Sequence, residues 1–169
     1  MTNIKAFEKK SAANQKRFRS FITKLENSEH KRGVLQQAKA ASAEVWAETD
    51  CLSCANCCKK MTPTFTPADK RRISSHLGIS TKAFETTYLA YDAKDKDWRM
   101  QQQPCVFLSQ ETNKCSIYAV RPADCSGFPH LTKAPLNSYL HIHKQNIQYC
   151  PATYLFVEKM MAGIAFENT

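Results

Sequence analysis

The stretch CLSCANCC, at residues 51–58, places four cysteines within eight positions. Two residues separate Cys51 from Cys54 and Cys54 from Cys57, a spacing at which a tight turn brings successive sulfurs to one ion. Zinc sites use one such pair, and bacterial ferredoxins use three cysteines in succession. The stretch therefore predicts a fold organised around a metal centre, without indicating which metal.

The adjacent cysteines of this stretch add a constraint, because consecutive side chains usually diverge. We therefore expect Cys51, Cys54 and Cys57 to share one centre, and Cys58 to bridge it or to serve a second one. Eight cysteines in the chain fit two four-cysteine sites or one polynuclear cluster with bridging thiolates. The candidate metal ligands are Cys51, Cys54, Cys57, Cys58, Cys105, Cys115, Cys125 and Cys150.

Length and composition describe an ordinary globular protein of 169 residues, with 43% hydrophobic and 23% charged residues. The first ten residues lack the apolar stretch of a secretory signal, and no run of about 18 apolar residues suits a membrane span. A cytoplasmic location is the resulting expectation. Thiols are kept reduced there, so the cysteines predict metal or redox chemistry more than a disulfide scaffold.

The formal charge of +9 treats every thiol as neutral. Cysteines bind metals as thiolates, so the net charge of the metal-loaded protein is lower than this and favours a nucleic-acid partner only weakly. Seven Lys or Arg residues against Glu8 nevertheless occur in the first 25 positions. This segment is either a solvated helix face or a surface for an acidic partner, and a nucleic-acid reader would use Lys16, Arg17 and Arg19.

Hydrophobic spacing predicts two amphipathic helices before the cysteines. Their apolar stripes are Phe18, Phe21, Ile22 and Leu25, then Val34, Ala38, Ala41 and Val45. We predict a basic helical extension over residues 1–48 and a cysteine-cluster metal-binding domain over residues 49–169.

Helix signals also follow the cluster. Thr66-Pro67-Ala68-Asp69 predicts a capped helix start, and Gly78 predicts its end. Ser80 can cap another helix that carries Phe84, Tyr88 and Tyr91 on one face, and the charged residues 92–97 predict a loop.

The second half predicts some β-structure. Residues 105–108 and 115–118 suggest a hairpin with a cysteine opening each strand, and residues 139–142 suggest another short strand. After Cys150-Pro151, a closing helix is predicted from Tyr154, Val157, Met161 and Ile164. The fold class is therefore α+β, an α-rich small domain with a short β-hairpin around a cysteine metal cluster.

Histidines are weaker candidates for metal ligands. His130 follows Cys125 by five residues and could complete a site, and His141 and His143 would share one face of the predicted strand. Each is otherwise an ordinary polar residue, and His76 is expected at the surface. Asp124 is expected to be a turn residue or a partner of a ligand, and Arg121 could face a thiolate cluster or form an ordinary salt bridge.

These residues together resemble the YkgJ-type cysteine-cluster family, described as a zinc- or iron-chelating domain, over roughly residues 50–152. The shared pattern begins with C-x-x-C-x-x-C-C and continues with Thr-Pro-x-Asp and Leu-Gly-(Ile/Leu)-Ser. Its later part is C-x-F-L followed by C-x-I-Y-x-x-R-P-x-x-C, then Phe-Pro and Cys-Pro. In this chain the pattern is carried by residues 51–58, 66–69, 77–80, 105–108, 115–125, 128–129 and 150–151.

Two positions depart from the pattern. Many members have Gly where this chain has Ala55, so Ala55 argues against a positive φ there. Arg often stands where this chain has Ser126, which removes one cation that could face the cluster.

The cysteines and the resemblance together lead us to expect a protein that holds a zinc or iron–sulfur centre as a binding or electron-transfer module, and the number of cysteines favours more than one metal ion. A metal-dependent enzyme is the alternative, either an iron–sulfur oxidoreductase or a protein-modifying enzyme similar to flagellin lysine N-methylase. A basic zinc module that binds nucleic acid is the second alternative. Fold-level similarity does not transfer activity, and no catalytic residue can be named.

Overall fold

The computed structural model describes residues 3–27, 31–133 and 135–164. Helices dominate and one short antiparallel sheet is present, which confirms the α-rich α+β class. The helices are α1 (Ile4–Glu26), α2 (Lys31–Glu48), α3 (Cys51–Cys54), α4 (Asn56–Lys60), α5 (Pro67–His76), α6 (Thr81–Tyr88), α7 (Ala123–Gly127), α8 (Asn137–Asn146) and α9 (Pro151–Gly163). The strands are β1 (Leu89–Asp92) and β2 (Asp97–Met100), and Tyr118–Val120 forms a 3₁₀ turn.

The chain forms two compact units. The helical unit comprises the described residues up to Cys54 and those from Pro129 onward, and the cysteine unit comprises Ala55–Phe128. Five of the eight cysteines lie in the cysteine unit. The boundary between residues 48 and 49 that the sequence suggests stays a prediction.

The helical unit packs α1 against α8 and α9, and α2 against α9. Both apolar stripes predicted for α1 and α2 are buried, as is the face of α9 that carries Tyr154 and Val157. Met160 takes the buried place predicted for Met161, which is only half-buried. Burial of these faces is what orders the two N-terminal helices.

The cysteine unit has its own small core, in which the rings of Phe65, Phe84 and Phe107 pack together with Ile73, Met100 and neighbouring side chains. The predicted cap of α5 is confirmed: Thr66 and Asp69 form a reciprocal capping box, and Pro67 is the first helical residue. Gly78, at φ +68°, ends this segment as predicted. Ser80 caps α6 by accepting the N–H of Ala83.

The hairpin lies elsewhere than predicted. Strands β1 and β2 pair antiparallel, from Leu89 opposite Met100 to Asp92 opposite Asp97, so the charged residues predicted as a loop turn the hairpin. Tyr91 lies on β1, and its predicted place on a helix is wrong. The predicted strands at 105–108 and 115–118 reduce to one bridge between Leu108 and Cys115.

The strand predicted at residues 139–142 is also wrong, because these residues belong to α8. Within a single turn of a helix, apolar residues can alternate with polar ones as they do in a strand, so the pattern cannot separate the two structures. The packing of α8 against α1 decides that this segment is helical. Successive helical residues are rotated by about 100°, so His141 and His143 cannot share a face. His141 is exposed and His143 is buried.

Across the described ranges, no helix is both long enough and apolar enough to cross a bilayer.

Candidate metal centre

The cysteine unit begins at a turn that leads into the helix on which the thiols of Cys57 and Cys58 lie close to each other. Ala55, between α3 and α4, has a left-handed backbone with φ +47° and ψ +16°. The sequence-based argument against a positive φ at this position is therefore wrong, because Ala55 has the left-handed backbone that glycine adopts most readily. The left-handed residue ends α3 and starts α4, which carries Cys57 and Cys58.

The side chains of Cys57 and Cys58 do not diverge, contrary to the expectation for consecutive residues. Their Sγ atoms lie 4.0 Å apart, and both side chains are half-buried. Two sulfurs that ligate one tetrahedral zinc at about 2.3 Å are about 3.8 Å apart. The pair is thus spaced in a way that suits a shared ion.

Cys105 and Cys115 occupy matching turns. The N–H of Leu108 donates to Cys105 O at 3.0 Å, and the N–H of Tyr118 donates to Cys115 O at 3.3 Å. In each turn, the N–H two residues after the cysteine hydrogen-bonds its sulfur: Phe107 for Cys105 and Ile117 for Cys115. Such bonds stabilise a thiolate and orient it.

Backbone pairing places these turns beside each other and beside α4. Phe107 O accepts the N–H of Ser116 at 2.8 Å, and Cys58 O accepts the N–H of Cys105 at 2.9 Å. The sequence signal for the two matching turns is the repeated pattern Cys-x-Phe-Leu and Cys-x-Ile-Tyr. The prediction of strands at these residues did not recognise this repeat as a pair of turns.

Cys125 lies on α7, which is anchored by the carboxylates of the buried Asp69 and the half-buried Asp124. Asp69 Oδ1 accepts the N–H of Ala123 at 3.1 Å, so the capping residue of α5 also holds the start of α7. Asp124 Oδ2 accepts the N–H of Thr64 at 3.0 Å. Asp124 thus links α7 to the distant residue Thr64, and its expected role as a turn residue or a partner of a ligand stays a prediction. The second role of Asp69 was not predicted.

Four thiols of the cysteine unit form one electrostatic group. Burial raises the pKa of Cys105, Cys115 and Cys125, and the charge of Cys58 raises the pKa of each further. Cys105 and Cys115 likewise raise the pKa of Cys125, and Cys115 raises that of Cys105. Each pair among the four thus contributes to the pKa shift of one of its members, which places the four thiols within range of mutual electrostatic effects.

Cys58 differs from its neighbours. Its pKa is lowered to about 7, first by the hydrogen bond with Cys57 and then, against the effect of burial, by its backbone and the charge of Lys59. Arg121 provides a second cation nearby, because its charge lowers the pKa of Cys115. The Arg121 guanidinium lies 3.9 Å from the ring centroid of Tyr118 and donates to Tyr118 O at 2.8 Å. This supports the hypothesis that Arg121 faces the thiolates.

The other three cysteines lie in the helical unit. Cys54 and Cys150 are buried, whereas Cys51 is exposed. Burial raises the pKa of Cys150, and the charge of Cys54 adds to the rise. Cys150 also caps α9, where its Sγ accepts the N–H of Thr153 at 3.5 Å.

The histidines divide by exposure. His76 is at the surface, as predicted. His143 is completely buried against Phe156, with the ring centroids 5.5 Å apart. Among the described residues neither ring nitrogen of His143 has a hydrogen-bond partner, and burial lowers its pKa to about 4. His130 lies in the same unit, near enough for its charge to contribute to that shift.

The donor set fits zinc or iron in kind. Five thiols in one unit, two of them bonded by backbone N–H groups, are the ligands that these metals take in structural and electron-transfer sites. As the described side chains stand, no three or more His, Cys, Asp or Glu residues are arranged so that they could hold an ion. Ligation would therefore need the sulfurs to close further.

Comparisons with known proteins agree with this chemistry. The family model described as "CxxCxxCC: Putative zinc- or iron-chelating domain" matches residues 50–152. The uncharacterised protein MJ0661 of Methanocaldococcus jannaschii is 29% identical over 104 residues, which cover 59% of this chain and 56% of that protein. The chain therefore spans little more than half the length of this relative. No solved structure matches the chain.

Proposed function

Because the chain belongs to the CxxCxxCC family of zinc- or iron-chelating domains, we propose that the cysteine unit holds a zinc or iron ion through Cys58, Cys105, Cys115 and Cys125. The observation that carries this proposal is the backbone pairing that joins three of the four segments, in which Cys58 O accepts the N–H of Cys105 and Phe107 O accepts the N–H of Ser116. The effects of the four thiols on one another's pKa agree with it. Neutral buried thiols gain little from such proximity, whereas thiolates around a divalent cation gain much.

The surrounding residues orient these thiols and partly offset the negative charge that they carry as thiolates. The N–H groups of Phe107 and Ile117 direct hydrogen bonds at Cys105 and Cys115, and Arg121 offsets part of the negative charge. Asp69 holds α7 against α5 and so positions Cys125. A bound zinc would supply a redox-silent link between these segments, and iron would supply one-electron chemistry.

The function we propose is that of a metal-binding module, with electron transfer if the ion is iron. Cys51, Cys54 and Cys150 are then available for a second centre in the helical unit, where Cys54 and Cys150 already interact. A second centre would make the total metal content two or more, as the eight cysteines suggest. The metal-dependent enzyme remains the alternative proposal, and it requires an open ligand position.

Metal analysis of protein purified without oxygen tests the proposal. We expect zinc or iron in the native protein, and loss of at least one equivalent in Cys125→Ser. The matched control is Ser126→Ala, which changes an exposed neighbour on the same helix whose hydroxyl contacts only local backbone. Full metal content in Cys125→Ser, or no metal in the native protein, would overturn the assignment.

The absorption spectrum separates the ions. A colourless protein with bound zinc supports the structural role, and visible sulfur-to-iron bands support electron transfer. Inorganic sulfide in the sample would identify an iron–sulfur cluster.

A further inference from the structure

The outer face of α1 carries a straight row of cations. One face of this helix is buried in the helical unit, and on the opposite face six exposed residues follow one another at intervals of 4, 3, 4, 3 and 4 positions. On a helix of about 3.6 residues per turn, this spacing places them on one line. The line, which we call the basic stripe, consists of Lys5, Lys9, Ala12, Lys16, Arg19 and Thr23.

The basic stripe presents net positive charge to solvent. Among the residues that the structure describes, the side chains of its three lysines make no ion pair or hydrogen bond. Arg19 uses one of its five donors, because its Nε donates to Lys144 O at 3.2 Å. The acidic residues of α1, Glu8 and Glu26, lie off the stripe, and Glu26 pairs with Lys144.

A row of cations on one line matches the regular charges of a nucleic-acid backbone. The four cations extend over about 21 Å of the helix axis, and duplex DNA carries one negative charge per about 1.7 Å of its own axis. We propose that the basic stripe docks on the phosphate backbone of duplex DNA. This inference does not depend on the metal, because no residue of the stripe belongs to the cysteine unit.

The remaining side chains of the outer face favour a phosphate backbone over other acidic partners. The exposed residues on and beside the stripe, apart from the cations, are the small residues Ala12, Ala13, Ser20 and Thr23. A stable protein partner is held mainly by aromatic and other large anchors, and a single strand by aromatic rings on which bases stack. A membrane surface takes up an exposed apolar helix face, whereas α1 buries its apolar face. A phosphate backbone needs only the cations.

The dimensions of α1 favour duplex DNA over duplex RNA. A helix with its side chains is about 10–12 Å across, and the major groove of DNA is about 12 Å wide, so the outer face can lie along this groove beside the phosphates. The major groove of duplex RNA is too narrow for such an approach. The amide side chains of α1, Asn14 and Gln15, are half-buried and donate within the protein. We therefore expect binding that is independent of base sequence.

The salt dependence of DNA binding by the full-length protein tests the inference, measured by the anisotropy of a short fluorescent duplex. Four phosphate contacts predict that the logarithm of the association constant falls with that of the salt concentration with a slope of about −3.6. Binding should thus weaken about 100-fold between about 50 mM and about 200 mM salt. The triple variant Lys5→Gln, Lys9→Gln, Lys16→Gln should bind more than about tenfold less tightly at about 50 mM salt and have a slope of about −1.

The matched control removes the same charge from exposed lysines outside α1. It combines Lys39→Gln, Lys82→Gln and Lys94→Gln, and it should retain the slope of the native protein. Glutamine has nearly the helix propensity of lysine, so both triple variants should keep the native circular dichroism spectrum.

The possible results are distinguishable. Equal loss of binding in the two triple variants would assign binding to net charge and overturn the inference, as would an unchanged slope in the stripe variant. No binding of the native protein to the duplex at about 50 mM salt would also overturn it. Tighter binding to duplex RNA, to polyglutamate or to vesicles of phosphatidylserine and phosphatidylcholine would overturn the choice of partner. None of these results bears on the metal content, which tests the proposed function separately.

Discussion

The helical unit and the cysteine unit bury their side chains in different ways. In the helical unit, the four long helices α1, α2, α8 and α9, of 10 to 23 residues, bury apolar faces along their length, with Phe18, Ile22 and Val45 almost fully enclosed. In the cysteine unit, elements of 4 to 10 residues surround a small aromatic core. Short elements contribute little stability of their own. From this difference we expect apolar packing to supply most of the stability of the first unit, whereas the second should depend more on metal held by its cysteines.

Metal removal should give the largest contrast between the units. A chelator should unfold the cysteine unit and leave the helical unit folded, because zinc bound by thiolates contributes on the order of 10 kcal/mol to small metal domains. The two tryptophans separate the signals, since Trp46 lies in the helical unit and Trp98 in the cysteine unit. Fluorescence of Trp46→Phe and Trp98→Phe variants measures each unit alone. Equal loss of both signals would show that the units do not differ in this way.

Core truncation should separate packing from metal binding. Phe18→Ala and Phe84→Ala each remove a ring that is at most 2% exposed and should each cost about 3–5 kcal/mol. Phe84→Ala should in addition weaken metal retention, because Phe84 stacks on Phe107, whose N–H bonds Cys105. Denaturant unfolding and metal content measure the two effects. The same loss of metal in Phe18→Ala would contradict the division.

Acid should destabilise the helical unit through His143. The folded pKa of about 4 lies below the unfolded value of about 6.5, so below pH 6.5 the unfolded chain binds a proton that the folded chain does not. Stability should fall by about 3 kcal/mol between pH 6.5 and pH 4, and the contribution is fully present above pH 6.5.

Unfolding followed through Trp46 over this range measures the effect. His143→Leu should flatten the pH dependence, since it removes the titrating ring without leaving a polar partner unpaired among the described residues. His141→Leu, at an exposed position, is the control and should retain the acid sensitivity. An unchanged slope in His143→Leu would assign the sensitivity to other groups.

The smallest effect should come from the turn before α4. Ala55→Gly relieves a left-handed backbone that costs a residue with a side chain about 1–2 kcal/mol. Glycine loses more freedom on folding, which offsets about 0.5–1 kcal/mol. We expect a net gain below about 1 kcal/mol in the unfolding of the cysteine unit, measured from the denaturant midpoint. A loss of stability would show that the methyl group, which is 5% exposed, contributes more by packing.

Local signals in the sequence predicted many elements well. The capping box of Thr66 and Asp69, the proline after it and the glycine at position 78 act within one or two turns, so neighbouring residues suffice to specify them. The apolar stripes of α1 and α2 were found for the same reason, because a 3.6-residue period is visible along the chain.

Short apolar runs were predicted less well. Residues 139–142 alternate like a strand but are helical, and residues 105–118 form twin turns instead of a hairpin. Both segments are too short for periodicity to choose between structures, so long-range packing decides them. The expectation that the side chains of Cys57 and Cys58 diverge was also wrong. The left-handed Ala55 starts the helix on which both sulfurs lie close together.

By itself, the sequence determined the family and the α-rich class, and it supplied the candidate sulfur ligands, because residue identity and spacing carry that chemistry. Only the tertiary structure decided how the segments that carry Cys58, Cys105 and Cys115 are joined, because the N–H of Cys105 bonds Cys58 O and the N–H of Ser116 bonds Phe107 O. Asp69 likewise holds the start of α7, which carries Cys125, by accepting the N–H of Ala123. Such contacts depend on how the chain packs, and no local pattern encodes them.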